Sequence, residues 1–160
     1  RKLDYLKKIK RKTAILIAFA CVAGSIVADA SNEDIRSAFS YGYYLGMSYQ
    51  MIDDYLDFAG GAQNLGKEVG QDLMNGNITL PALLAKEEKP ELFYNFTKDT
   101  SSEEKEKIIN YIKNNDKVLS ETLAVSRRYL EKAQESIDNI DSTVKTELTF
   151  IMNKLARREN

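Results

Sequence analysis

Histidine is absent from the 160 residues. Its absence removes His-based acid–base catalysis, Ser-His-Asp triads and most catalytic zinc sites. Cysteine occurs once, at Cys21, so no internal disulfide can form, which fits a reducing compartment. Cys21 lies inside an apolar run, where a small buried hydrophobe is the expected role rather than a nucleophile. That run, residues 14–28, is interrupted by Gly24 and Ser25 and falls short of the roughly 20 residues a bilayer span needs, so it reads as a buried helix. An excess of charge is missing too: 23 basic against 24 acidic residues leave a net charge of −1, and no global field favours nucleic acid or an anionic membrane. No alternating strand pattern, internal repeat or low-complexity tract is visible, and the expected class is all-α. The chain starts at Arg1 without Met and shows no signal peptide, so its start reads as a cut in a longer protein.

What is present is organised around residues 46–57. Gln50, Asp53, Asp54 and Asp57 recur at i, i+3, i+4 and i+7, which is one face of a helix. Like charges at i,i+4 cost a helix about 0.2–0.5 kcal/mol per pair, and Asp is a poor helix-interior residue. A divalent metal would relieve that cost, because hard cations take carboxylate oxygens together with substrate phosphates. The same face on an ordinary helix would simply be solvated. Gly42 and Gly46 lie one turn apart on this face and allow close approach of a neighbouring helix or a ligand.

Around this helix the remaining elements fall in order. Residues 1–12 carry Lys and Arg with Leu3, Leu6 and Ile9 at helical spacing, a solvated basic face ending at Lys12-Thr13. No aromatic platform accompanies them, so nucleic-acid binding is not expected. Ser31 with Asp34 forms a capping box that starts a helix reaching about Phe58. Residues 60–81 hold five of the eight glycines and end in Pro81, a long loop of the kind that usually carries function. Lys67 within it, following the acidic helix, suits a phosphate held against metal ions, although no P-loop order is present. A short apolar helix after Pro81, a helix start at Ser101-Ser102-Glu103-Glu104, and amphipathic helices over 117–138 and 142–158 complete the chain.

Taken together, Lys12-Thr13, then Gly46, Gln50, Asp53-Asp54 and Asp57, then Gly66-Lys67, Gly70, Asp72-Leu73, Gly76 and Thr79-Leu80-Pro81, resemble the trans-isoprenyl diphosphate synthases. More narrowly they look like the catalytic component of bacterial heptaprenyl diphosphate synthases and similar long-chain enzymes. The motifs span residues 12–81, and the helical tail to residue 160 fits the same family. The resemblance implies an all-α isoprenoid synthase bundle around a deep cavity, with residues 1–160 as the C-terminal part of one polyprenyl synthase domain. The first Asp-rich motif, the isopentenyl diphosphate site and the positions that set product length would lie N-terminal to it. Asp53 would ligate Mg²⁺ directly, with Asp54 and Asp57 in its hydrogen-bonding or water-mediated shell. Lys12 and Lys67 would bind the allylic diphosphate, and Thr13 and Gln50 would turn oxygen dipoles toward the developing carbocation. The substrates would be an allylic diphosphate and isopentenyl diphosphate, and the product a hydrophobic chain destined for a membrane. The enzyme would be cytoplasmic, a homodimer or a heterodimer with a small accessory subunit.

Departures bear on this assignment. Asn77 stands where many members have Lys, a pointer toward long-chain synthases, and Tyr49 stands where Phe is common. Arg157-Arg158 would reach isopentenyl diphosphate, or else form an exposed helix end favouring cations. A geranylgeranyl or farnesyl synthase is the alternative product class. A non-catalytic accessory subunit is the alternative role, but such a chain should have lost the acids and lysines kept here. A class I terpene cyclase would lack the GKxxGxDL loop.

Overall fold

The structure, a computed structural model, describes residues 1–59 and 69–157. Every regular element among them is helical. Helix α1 is Lys2–Ile9, followed by a π-helical turn over Lys10–Ala14 and by α2, Ile15–Val27. Helix α3 is Asn32–Ala59, α4 Gln71–Met74 and α5 Leu80–Glu88; a 3-10 turn covers Pro90–Phe93. Helices α6 (Ser102–Lys113), α7 (Asp116–Ser136) and α8 (Ser142–Ala156) follow. The chain forms two compact units, Arg1–Tyr5 with Met51–Ala124, and Leu6–Gln50 with Val125–Asn160.

In the second unit the α2–α3 seam is made of small residues. Ala14 and Ala18 are fully buried, and Gly42 and Gly46 lie against them: a Cβ on Gly46 would meet the Ala14 Cα at 2.6 Å, and one on Gly42 the Ala18 Cα at 2.8 Å. Close approach of two backbones is what glycine permits. This seam explains a difference from the sequence expectation. Helix α2 is not buried all round; Leu16, Phe19, Ile26 and Val27 are exposed. Ala18, with Ile17 beside it, meets α3 at Gly42 and Gly46, while Leu16, Phe19, Ile26 and Val27 stay out of this seam. Elsewhere in this unit the Tyr41 hydroxyl donates to the Leu148 carbonyl at 2.7 Å, and the Ser48 and Ser126 hydroxyls share a buried hydrogen bond at 2.8 Å.

Ser31 caps α3 as the sequence implies: the Asp34 N–H donates to Ser31 Oγ at 3.1 Å, and that hydroxyl in turn donates to Asp34 Oδ2 at 2.7 Å. No break separates the basic stretch from the apolar helix; the π turn at Lys10–Ala14 carries the helical path from α1 directly into α2. The inward face of α1 also differs. Ile9 is buried as its spacing implies, but Leu3 is exposed and Tyr5 is buried instead.

In the first unit, Phe58, Leu73, Leu80, Ile108, Ile112 and Val118 are buried. Helix α5 starts as Pro near an N-terminus allows, with Thr79 extended at the N-cap and Pro81 in the first turn. Helix α6 is capped by Ser101, whose Oγ accepts from the Glu104 N–H at 3.3 Å.

Candidate functional site

The acidic end of α3 lies in the first unit and divides its carboxylates between two jobs. Asp53 is exposed. Asp54, one residue on, is rotated by about 100° and enters the core, where it is 2% exposed. There its Oδ2 accepts the Tyr5 hydroxyl of α1 at 2.7 Å. Asp57, half-buried, is held by the segment that follows the Gly-rich loop. The Gly70 N–H donates to the Asp57 main-chain oxygen at 2.8 Å, the Gln71 N–H to Oδ1 at 3.1 Å and the Asp72 N–H to Oδ2 at 3.3 Å. Three successive amides therefore converge on one residue. Gly70 makes this possible by adopting φ +75°, a left-handed conformation that few side chains tolerate.

Burial is the largest influence on the Asp57 carboxyl and raises its pKa above the ordinary value. The amides of Asp72 and Gln71 oppose that rise, while the Asp72 and Asp53 carboxylates add to it. Gathering negative charge around a half-buried acid is unfavourable unless a cation shares the space. The donors are hard oxygens, which suit Mg²⁺ or Ca²⁺. Among the described residues no three His, Cys, Asp or Glu side chains are gathered as a complete metal cluster. The exposed Asp53 and the fixed Asp57 carboxylate fit an ion held by one or two carboxylates, its other positions filled by water and substrate phosphate, which is the usual habit of Mg²⁺.

In the second unit, Lys12 and Thr13 occupy the π turn, a feature that often marks functional sites. Lys12 is exposed. The Thr13 hydroxyl donates to Gln50 Oε1 at 2.8 Å, so these two residues, 37 apart in sequence, form one polar pair. Lys67 and Gly66 lie outside the described residues, as does Arg158. In the stretch that closes the loop, the Thr79 hydroxyl is buried without a hydrogen-bond partner. Pro81 in the first turn of α5 lacks one of the N–H groups that a capping Thr would meet.

Sequence reasoning missed Tyr5 and Asp72. Tyr5 is separated from Asp54 by 49 positions, and no local pattern announces the pair. Asp72 stands inside a motif, and its i,i+15 relation to Asp57 depends on the return of the loop. Replacing Tyr5 with Phe removes a hydrogen bond to a buried carboxylate, worth about 1.5–3 kcal/mol. Tyr5→Phe is therefore expected to lower stability by about that amount in denaturant titration. A change within about 0.5 kcal/mol, the range of an ordinary surface substitution, would show that the pair does not hold α1 to α3.

Residues 2–112 match the family described as polyprenyl synthetase. Heptaprenyl diphosphate synthase component 2 of Bacillus subtilis (strain 168) is 43% identical over 139 residues, which make up 85% of this chain and 39% of that protein. The crystal structure of heptaprenyl diphosphate synthase from Staphylococcus aureus superposes with a TM-score of 0.90 at 38% identity, covering 99% of this chain and 51% of that one. A geranylgeranyl pyrophosphate synthase from Corynebacterium glutamicum, described as complexed with calcium and isoprenyl diphosphate, gives a TM-score of 0.81 at 26% identity over 98% of this chain and 50% of its own. The chain thus spans about half the length of the relatives it matches. With the family match covering both the π turn that carries Lys12 and Thr13 and the acidic end of α3 with its returning loop, the chain belongs to the polyprenyl synthetase family.

Proposed function

We propose that this chain is the C-terminal half of the catalytic subunit of an all-trans polyprenyl diphosphate synthase, with a product in the heptaprenyl class. The observation that carries the reading is the Asp57 cradle: a half-buried carboxylate fixed through both oxygens by consecutive amides, one turn from the exposed Asp53. Such fixing prepares an acid to face a cation rather than to wander in solvent. Asp53 and Asp57 would hold Mg²⁺, and Asp54, bound to Tyr5, would hold α3 in place. When bound, the ion neutralises charge on the departing diphosphate.

The remaining work falls to side chains of this chain. Lys12, exposed on the π turn, and Lys67 offer ammonium groups to the allylic diphosphate. The Thr13–Gln50 pair supplies oxygen dipoles for the carbocation left when the allylic carbon–oxygen bond breaks and its electron pair departs with diphosphate. The double bond of isopentenyl diphosphate then forms the new carbon–carbon bond, and a proton is lost. The name "component 2" carried by the Bacillus relative favours a heterodimer with an accessory subunit over a homodimer. Among the described residues no helix is long and apolar enough to cross a membrane, which is compatible with work in the cytoplasm on a product passed to lipid.

A prenyl-transfer assay with labelled isopentenyl diphosphate, an allylic primer and Mg²⁺ tests this reading. The 160-residue chain alone is expected to be inactive, since each shared ion would keep only part of its protein ligands and Mg²⁺ binds incomplete sites weakly. Addition of the separately expressed N-terminal half should restore product. Product from residues 1–160 alone would overturn the two-half account.

A further inference from the structure

Helix α6 carries a buried cation that the site described above does not use. Lys105 is 8% exposed. Its Nζ donates to the Met74 carbonyl at 3.1 Å and to the Lys98 carbonyl at 2.9 Å. Its partners among the described residues are these two main-chain oxygens. Burying an ammonium against neutral acceptors is costly compared with an apolar side chain of the same length. The geometry around it shows what the cost obtains.

Met74 is the last residue of α4, a single turn whose final carbonyls have no partner within the helix. A helix of one turn does not hold itself together in water. Its first amides, from Gln71 and Asp72, go to the Asp57 carboxylate, and its last carbonyl goes to Lys105. The same face of α6 holds the start of the turn, because Ile109, four residues after Lys105, packs where a Cβ on Gly70 would stand, its Cγ1 at 2.6 Å. Gly76 in turn lies against Lys98, whose carbonyl is the second acceptor of Lys105. Helix α4 is therefore a strut with Asp57 at one end and Lys105 at the other.

We propose that Lys105 is a positioning residue for the acidic site: by tying Met74 to Lys98 it keeps α4 where Gln71 and Asp72 fix the Asp57 carboxylate. The proposal rests on the reading of Asp53 and Asp57 as the cation–diphosphate site. Lys105 itself touches neither ion nor substrate.

The test uses the intact synthase with Lys105→Met, which keeps the apolar stem, and Lys105→Arg, which keeps a donor. Amide exchange is followed in residues 69–77 and, as a reference for whole-fold opening, in α7. Calorimetry with Mg²⁺ and inorganic diphosphate gives affinity without any need for turnover. Lys105→Met should speed exchange at Gln71 and Asp72 by about tenfold, the equivalent of one lost hydrogen bond, and leave α7 unchanged. It should weaken diphosphate binding by about tenfold, the lower end for groups that orient a metal ligand. Lys105→Arg should recover most of both. Unchanged exchange at Gln71 and Asp72, an equal rise throughout α7, or local exchange with undiminished diphosphate affinity would each overturn the positioning role. If Lys105→Met does not accumulate as folded protein, Lys105→Gln, which has a shorter and uncharged donor, decides: a rise confined to 69–77 with weaker diphosphate binding supports the role, and a uniform rise or none overturns it. Failure of the unsubstituted enzyme to bind Mg²⁺-diphosphate would count against the site reading, which separates that failure from failure of the strut.

Discussion

Asp53→Ala in the intact synthase is expected to lower kcat by about 10²–10³-fold at saturating Mg²⁺, the scale for removing one group that stabilises charge in a transition state. The expectation comes from position. Asp53 is exposed on α3, one helical turn before a carboxylate that is already fixed. Helix stability should change little, and removal of one i,i+4 repulsion with Asp57 should favour α3 by about 0.2–0.5 kcal/mol. The loss should therefore fall on turnover and not on folding. A group that acts on the leaving diphosphate matters more as the bond breaks than when substrate merely sits, so kcat should fall more than KM rises. Steady-state kinetics at several Mg²⁺ concentrations, with a melting curve of the same preparation, separate the two. Turnover equal to the unsubstituted enzyme would sink the metal assignment. Asp54→Ala offers the contrast: its carboxylate is in the core on Tyr5, so stability should fall together with activity.

The second large effect concerns Gly46, where two principles predict opposite signs. Within a helix, Gly→Ala normally favours folding by about 0.8–1 kcal/mol. At Gly46 a Cβ would stand 2.6 Å from the Ala14 Cα and 3.3 Å from the Ile17 Cδ1. The first atom is backbone and cannot rotate away, so α2 itself must shift. Overpacking of this kind costs about 1–3 kcal/mol or more. Gly46→Ala should therefore be destabilising despite its better propensity, and Gly46→Val more so, by about 3 kcal/mol or beyond. Ala14 ends the π turn that carries Lys12 and Thr13, so the displacement should also loosen the Thr13–Gln50 pair and reduce activity in whatever enzyme stays folded. Melting temperatures of the two variants decide the sign. A higher melting temperature for Gly46→Ala would show that the seam is looser than its geometry implies.

Local chemistry was legible in the sequence, and long-range pairing was not. The start of α3 could be read from Ser31 and Asp34 because a capping box is written within four residues. The grouping of Gln50, Asp53 and Asp57 followed from helical period alone. The division of Asp53 from Asp54 did not, since it depends on Tyr5 arriving from 49 residues away. Apolar content made α2 look buried, yet composition does not say which neighbour a helix has; the face with Ala18 and Ile17 meets α3, and Leu16, Phe19, Ile26 and Val27 are exposed. The apolar spacing of Leu3, Leu6 and Ile9 marked one face of α1 and holds at Ile9; it passed over Tyr5, a buried tyrosine whose hydroxyl is satisfied by a carboxylate partner. No local pattern sets Lys105 apart; the return of residues 70–77 onto α6 gives it the Met74 carbonyl, and the segment before α6 gives it that of Lys98.

The α2–α3 seam has a chemical consequence at Cys21. The sulfur lies 2.9 Å from where a Cβ on Gly42 would be, and burial pushes the thiol pKa up. At neutral pH the group stays protonated and is a poor nucleophile toward alkylating reagents. It is also the chain's single thiol. Cys21 is partly covered and held against Gly42, so its labelling should be slower than that of an exposed thiol, and a change that loosens the seam on which Lys12 and Thr13 are mounted should speed it.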